Sequence, residues 1–234
     1  MEPRNGKYLK IAHRGASDYA PENTLKAYAL ALDMGADMCE VDVHLTADGH
    51  PVLIHDADIS RTTNGEGKVG ALTLEALREC DAGEGEQVPT LQEAIDLVGD
   101  LGGLYIELKG ADVEEAVADV IQHNGCEDRV IVGSFHPDRV RRMRQLAPEV
   151  QTSCLIWLGM TDWAPLCNDV GALYAHFCWE KAPEPHKLLD DELFKTARRY
   201  AIGTVVWHEE RVEEIAEIIK RPIDAICSNK PDLL

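Results

Sequence analysis

No run of the 234 residues approaches the roughly 20 consecutive apolar positions that a membrane-spanning helix requires. Positive charge is scarce, with 23 Lys and Arg against 42 Asp and Glu, and the formal net charge is −19. A field of that sign repels nucleic acid and anionic membrane surfaces, so neither is an expected partner and no stable membrane association is expected. It does not exclude a small phosphate ester, because salt screens over about 8 Å and a few local cations can reverse the sign inside one cleft. The seven cysteines include no C-x-x-C pair and none of the spacings of a zinc site or disulfide framework. Most of them read as small buried hydrophobes in a reducing compartment. Met1-Glu2-Pro3-Arg4-Asn5-Gly6-Lys7 lacks the apolar core of a secretory signal, so a cytoplasmic location is expected. There is no internal repeat, low-complexity tract or linker, and 234 residues that are 45% hydrophobic suit a single domain over 1–234.

What is present is an alternation. Eight short apolar runs read as strands: Leu9–His13, Met38–Leu45, Leu104–Lys109, Val130–Phe135, Ser153–Trp157, Leu173–Phe177, Thr204–Trp207 and Ala225–Ser228. Amphipathic stretches lie between them, such as Leu25, Tyr28, Ala29 and Leu32 at the i, i+3, i+4, i+7 spacing of one helix face. Thr90-Leu91-Gln92-Glu93 has the capping-box pattern, with Leu91, Ala94, Ile95 and Val98 on the apolar side of the helix it opens. Strands separated by helices pair in parallel, and eight such units close as a (β/α)₈ barrel. The stretch from about Ala57 to Val88 is too long for a βα connection. It carries the turn-rich Arg61-Thr62-Thr63-Asn64-Gly65-Glu66-Gly67 and a helix from Leu74 to Cys80, and reads as an insertion after the second strand.

Charge interrupts two of the strands at spacing i, i+2. In Cys39-Glu40-Val41-Asp42-Val43, alternation puts both carboxylates on one face and the apolar residues on the other, which suits packing against outer helices. Glu40 and Asp42 therefore point into the barrel. Tyr105, Glu107 and Lys109 share a face in the same way, opposite Ile106 and Leu108. Each pair of ionised carboxylates at about 4 Å repels by roughly 4 kcal/mol at an effective dielectric of 20, so something cationic must sit among them. All-oxygen ligands favour Mg²⁺, Ca²⁺ or Mn²⁺; the alternative is a structural ion-pair set with Lys109 and Arg14. His13 and His55 fall at strand ends beside these carboxylates, and two histidines can supply a general acid and a general base. Arg14 suits a phosphate oxygen, and Trp207, at a strand end, suits packing against an alcohol or simply the core. His136, His176 and His208 also lie at or just past strand ends, as polar residues of the cleft rim with no assigned role.

Taken in order, His13-Arg14-Gly15, Pro21-Glu22-Asn23-Thr24, Glu40-Val41-Asp42, Asp48-Gly49-His50-Pro51-Val52, His55-Asp56, Arg61-Thr62-Thr63 and Glu107-Leu108-Lys109 resemble the motifs of the glycerophosphodiester phosphodiesterases. The likeness runs through nearly the whole chain. It implies an α/β barrel that hydrolyses small glycerophosphodiesters to glycerol 3-phosphate and an alcohol. It implies His13 and His55 as the acid/base pair, and Glu40, Asp42 and Glu107 as ligands of one divalent cation. Arg14 and Lys109 would lie near the phosphate, with 57–88 as a small cap. It also suggests attack by the neighbouring glycerol hydroxyl through a cyclic phosphate.

The chain departs from that pattern late. Where the family often reads Trp-Thr-Val-Asn, it has Trp207-His208-Glu209-Glu210, and the closing Thr-Asp-x-Pro appears as Ser228-Asn229-Lys230-Pro231. These changes bear on the pocket wall and the alcohol. Two other readings remain: a phosphodiesterase of the phospholipase D kind acting on lysophospholipids or sphingolipids, and a non-catalytic barrel that binds a phosphorylated metabolite.

Overall fold

The computed structural model describes residues 3–4, 6–179 and 182–234. Met1, Glu2 and Asn5, part of the stretch read for a leader, lie outside the described residues. Eight parallel strands close on themselves: β1 (Leu9–Ala12), β2 (Met38–Leu45), β4 (Gly103–Leu108), β5 (Val130–Ser134), β6 (Gln151–Trp157), β7 (Tyr174–Cys178), β8 (Gly203–Trp207) and β9 (Ala225–Ser228). Each pairs with its sequence neighbour, and β1 closes the ring by pairing with both β2 and β9. All eight strands expected from the sequence are present, two with the expected bounds and six with one or both ends moved by one or two residues. The ninth, β3 (Pro51–Leu53), is antiparallel to β2 in a hairpin, with Val43 opposite Leu53 and Leu45 opposite Pro51.

The helices are α1 (Leu25–Asp33), α2 (Leu74–Arg78), α3 (Leu91–Val98), α4 (Glu114–Asn124), α5 (Pro137–Leu146), α6 (Trp163–Val170), α7 (Asp191–Tyr200) and α8 (Val212–Ile218). Among the described residues no helix is long and apolar enough to cross a membrane. The buried face of α1 is Ala27, Tyr28 and Ala31, rotated from the expected stripe, while Leu25 and Leu32 pack only at its margin. The shift has a steric cause: the loop after β1 runs tightly over α1. A Cβ on Gly15 would lie 2.7 Å from the Ala27 backbone, and Gly15 has φ +80°. Only a residue without a side chain fits there.

The capping box at α3 is complete. Thr90 Oγ1 accepts from Glu93 N at 3.2 Å, and the Glu93 carboxylate accepts from Thr90 N at 2.8 Å, over a buried face of Leu91, Ala94, Ile95 and Val98. Glu93 also holds Arg78 of α2 at 2.6 Å, joining the insertion to the barrel wall. Thr90→Ala is expected to lower stability by about 1 kcal/mol without changing activity, read as a lower urea midpoint at an unchanged slope.

Alternation fills the barrel as expected. Cys39, Val41, Val43, Ile106 and Leu108 face the outer helices, whereas Met38, Tyr105, Ile131 and Leu155 pack inside with Val205 and Cys227. The ring of Tyr105 packs inside the barrel, where a glycine of β5 leaves room for it: a Cβ on Gly133 would lie 2.7 Å from the Tyr105 hydroxyl. The cysteines are all free, and all but Cys80 are buried. Residues 57–88 form two short 3₁₀ turns and α2 around a separate apolar cluster that includes Ile54, Ile59, Val69, Leu77 and Val88.

Candidate active site

The carboxyl ends of the strands carry the polar residues. β2 and β4 pair with Asp42 opposite Glu107 and Glu40 opposite Tyr105, which brings three buried carboxylates together. One oxygen each from Glu40, Asp42 and Glu107 lies within 4.8 Å of the other two. Lys109 reaches Glu107 at 2.8 Å and Asp42 at 3.5 Å, and Arg14 Nε lies 3.3 Å from Asp42. The ion-pair reading is thus partly right, yet two cations face three carboxylates. Among the described residues no ion pair reaches Glu40, which accepts the Arg14 backbone N–H at 2.9 Å.

The charge imbalance appears in the proton affinities. Burial, then Asp42 and Glu107 beside it, push Glu40 well above the ordinary carboxylate range. Burial and Asp42 push Glu107 up to about 7 against the pull of Lys109. Burial opposes ionisation of Asp42 too, but Lys109 and Arg14 outweigh it and hold Asp42 low. Among the described residues, buried Asp42 Oδ1 has no hydrogen-bond partner, with only the Lys109 ammonium facing it at 3.5 Å. An orphaned carboxylate oxygen in a surplus of carboxylates, with no thiol or imidazole in the set, fits a hard divalent cation held by oxygen.

The loop after β1 is built around this set. Arg14 and Asn23 both adopt left-handed backbone, φ +56° each, and Asn23 N donates to Arg14 O at 3.0 Å. Strain of this kind persists only where surrounding contacts hold it. Asn23 Nδ2 donates to Asp42 at 2.9 Å while its Oδ1 accepts from Tyr28 OH at 2.9 Å, fixing one Asp42 oxygen.

His13 follows the last residue of β1 and is buried. Its Nδ1 meets Asn229 Oδ1 at 2.6 Å, and its ring meets Trp207 edge-on at 5.4 Å. Burial, with Arg14 and His208 adding to it, holds His13 well below the ordinary histidine value. His55, after β3, is half-buried with Nδ1 on Asp56 at 2.6 Å. Burial lowers His55 as well, against the pull of Asp42. Asp56 binds Arg61, Arg61 binds Glu22 at 2.8 Å, and Glu22 binds Arg14 at 2.9 Å. One chain of charges therefore links the two histidine loops through an arginine of the insertion.

Several participants carried no role in the sequence reading: Asn23, Glu22, Asp56, Arg61, His208, Glu210 and Asn229. The only signal for the first four was membership in the quoted motifs. The three histidines given no role in the sequence reading separate. His208 stacks on His13; His136 is exposed at the start of α5. His176 is not a rim residue: β7 continues to Cys178, so His176 lies mid-strand, buried in the barrel against Tyr105 at 4.9 Å. Burial alone pushes it down to about 3, and it is neutral.

A parallel (β/α)₈ barrel whose mouth gathers three carboxylates, two histidines, an arginine and a lysine belongs among the phosphoester-cleaving barrels. Residues 13–233 match the model of the Glycerophosphoryl diester phosphodiesterase family, and the chain belongs to that family and is a phosphodiesterase. A glycerophosphodiester phosphodiesterase of Caldanaerobacter subterraneus subsp. tengcongensis is 35% identical, with 97% of this chain and 96% of that protein covered. One from Bacillus subtilis is 34% identical, covering 97% of this chain and 85% of that one. Among solved structures, an Oleispira antarctica phosphodiesterase in complex with its product sn-glycerol-3-phosphate superposes with a TM-score of 0.86 at 27% identity, covering 96% and 94% of the two chains.

Proposed function

We propose that the chain hydrolyses glycerophosphodiesters to glycerol 3-phosphate and an alcohol at the mouth of the barrel. The observation that carries this reading is the trio Glu40, Asp42 and Glu107, buried within 4.8 Å of one another at the barrel end where the loops after β1 and β3 carry His13 and His55. In this reading the trio holds one divalent cation, Mg²⁺ or Ca²⁺ with Mn²⁺ as a further candidate. Bound there, such an ion neutralises charge on the phosphodiester. Arg14 and Lys109 bring positive charge to the phosphate oxygens. His13 and His55 move protons through Nε2, since Nδ1 of each is engaged by Asn229 or Asp56. One takes the proton of the attacking hydroxyl, the other protonates the departing alkoxide, and the roles exchange when water opens the cyclic phosphate. The product-bound Oleispira antarctica relative supports glycerol phosphate as the retained product. Residues 57–88 serve as a cap, a role supported by the link from Arg61 to Glu22 and Asp56.

Trp207 lies against His13, and Phe135 lies 6.0 Å from Trp207 and 5.1 Å from Trp157, which is 53% exposed. This aromatic row leads outward from His13 and favours a second reading, in which the alcohol carries apolar bulk, as in a lysophospholipid.

A panel of glycerophosphodiesters and one lysophospholipid, assayed on metal-stripped protein with Mg²⁺, Ca²⁺ or Mn²⁺ added back, tests both. Turnover of the small diesters restored by a divalent ion is the expected result. Binding without turnover under any ion returns the chain to a phosphometabolite-binding barrel. Arg14→Lys is expected to lower kcat/KM by about 10- to 100-fold, since it loses a charge-assisted hydrogen bond worth ~1.5–3 kcal/mol. Full activity in that variant would remove Arg14 from the phosphate.

A further inference from the structure

The two late departures from the family pattern meet in space, and they meet on His13. His208, which follows the last residue of β8, lays its ring on the His13 imidazole with centroids 4.7 Å apart and planes 16° from parallel. His208 Nδ1 is held by the Glu210 carboxylate at 2.9 Å. Glu210 in turn accepts the Asn229 backbone N–H at 2.9 Å, where β9 ends. The side chain of Asn229 returns to His13, its Oδ1 lying 2.6 Å from Nδ1 and 3.0 Å from Ser17 Oγ. Trp207 closes the other approach edge-on at 5.4 Å.

We propose that His208 is a positioning residue for His13, acting with Glu210 and Asn229 as one unit. A histidine ring has two freedoms that matter for proton transfer: rotation of its plane and exchange of its tautomer. The stacked ring of His208 opposes the first, because turning His13 out of plane would break a ring contact over its whole face. Asn229 Oδ1 opposes the second by accepting from Nδ1–H, which leaves the lone pair on Nε2. With Nδ1 engaged by Asn229, Nε2 is the nitrogen left for the reacting proton. Glu210 couples the two restraints: one carboxylate holds the stacking ring and the backbone that carries the amide. The residues that differ from the common family pattern thus complete a local support for His13 instead of merely altering the wall.

This inference rests on the proposed role of His13 in phosphodiester hydrolysis, so its test has two arms. In the first, wild type, His208→Ala and His208→Phe are assayed on glycerophosphocholine with Mg²⁺. His208→Ala is expected to lower kcat about tenfold while KM stays within about twofold, the pattern of lost alignment without lost binding. His208→Phe, which keeps a flat ring and loses both nitrogens, is expected to recover most of that loss. In the second arm, ¹⁵N NMR of the imidazoles reads the His13 tautomer with no turnover required. The Nδ1–H form is expected to dominate in wild type and His208→Phe, and to give way to exchange in His208→Ala and Asn229→Ala. If wild type has no hydrolytic activity the functional reading fails, and the NMR arm still decides the positioning. Unchanged His13 signals and unchanged kcat in His208→Ala overturn the proposal. So does a rise in KM alone, which would make His208 a substrate contact, or a failure of His208→Phe to recover activity. Should His208→Ala fail to fold, Glu210→Gln replaces it, with an intermediate loss of kcat expected and no loss counting against the proposal.

Discussion

A glycerophosphodiester whose hydroxyl beside the phosphorylated carbon is replaced by hydrogen is expected to bind comparably and to turn over at least about a thousandfold more slowly, a barrier increase of roughly 4 kcal/mol. The expectation follows from the number and placement of proton-moving groups. In the proposed reading His13 and His55 are the proton-moving groups, and Nδ1 of each is occupied, by Asn229 and Asp56, which leaves Nε2 to react. General acid–base catalysis by such groups contributes about 10² to 10⁴ each. An intramolecular hydroxyl adds effective molarities on the order of 10⁵ M or more, because the attacking oxygen is already beside the phosphorus. Removing that hydroxyl removes the larger effect and leaves the smaller ones. Single-turnover measurements on the deoxy compound, with binding measured separately, decide the matter. Cleavage at a similar rate would mean direct attack by water.

The second large effect concerns the trio. Glu40→Gln, Asp42→Asn or Glu107→Gln is expected to weaken Mg²⁺ binding by at least about 100-fold, the upper end of what losing an outer-shell partner costs, with activity falling in step. The metal-free Glu40→Gln and Glu107→Gln variants should be as stable as the parent or more so, since each removes a buried carboxylate whose ionisation burial and the neighbouring carboxylates oppose, whereas metal-free Asp42→Asn should be less stable because it breaks the pairs with Lys109 and Arg14. Glu107 adds a pH signature. Its carboxyl ionises near 7 in the folded protein and near 4.5 otherwise, so between those values the metal-free fold holds a proton that the unfolded chain has released. Its contribution to stability therefore falls as pH rises through that window, and is lowest above about 7. A cation bound by the trio would take the place of the proton. The gain in Tm on adding Mg²⁺ should grow from pH 5.5 to pH 8 and be flattened in Glu107→Gln. A variant that unfolds yet binds Mg²⁺ normally would return the trio to a structural ion-pair role.

The trio was legible because strands obey a period of two. Once Val41 and Ile106 were assigned to the helix side, Glu40, Asp42 and Glu107 had nowhere to point but inward, and the structure has them there. The capping box was legible for a similar reason, since its two hydrogen bonds are local and its residues adjacent. Long-range arrangements were not. That His208 would lie on His13 depends on how far β8 and β1 are staggered around the ring, a property of the closed barrel that neither strand encodes alone. His176 shows how small the margin is: ending β7 one residue early places a core histidine at the rim. The offset of α1 had its cause in Gly15 and Ala27, residues too small to register as a pattern.

Tyr105 fills the barrel interior two residues before Glu107 on β4, in the room that Gly133 leaves, with Ile131, Leu155 and Val205 in the same inner cluster. A barrel stoppered in this way has one doorway. Whatever enters to meet the carboxylates, the alcohol that leaves and the water that follows must all pass through the same opening, one after another. On the proposed cyclic-phosphate route, the alcohol would have to clear before water could reach the phosphorus, and until it did the cyclic ester could only reverse. A bulky or slowly departing alcohol would then hold the whole cycle back even where its bond to phosphorus breaks quickly. The aromatic row of Trp207, Phe135 and Trp157 stands along that doorway, where it can set the pace of traffic as well as the choice of guest.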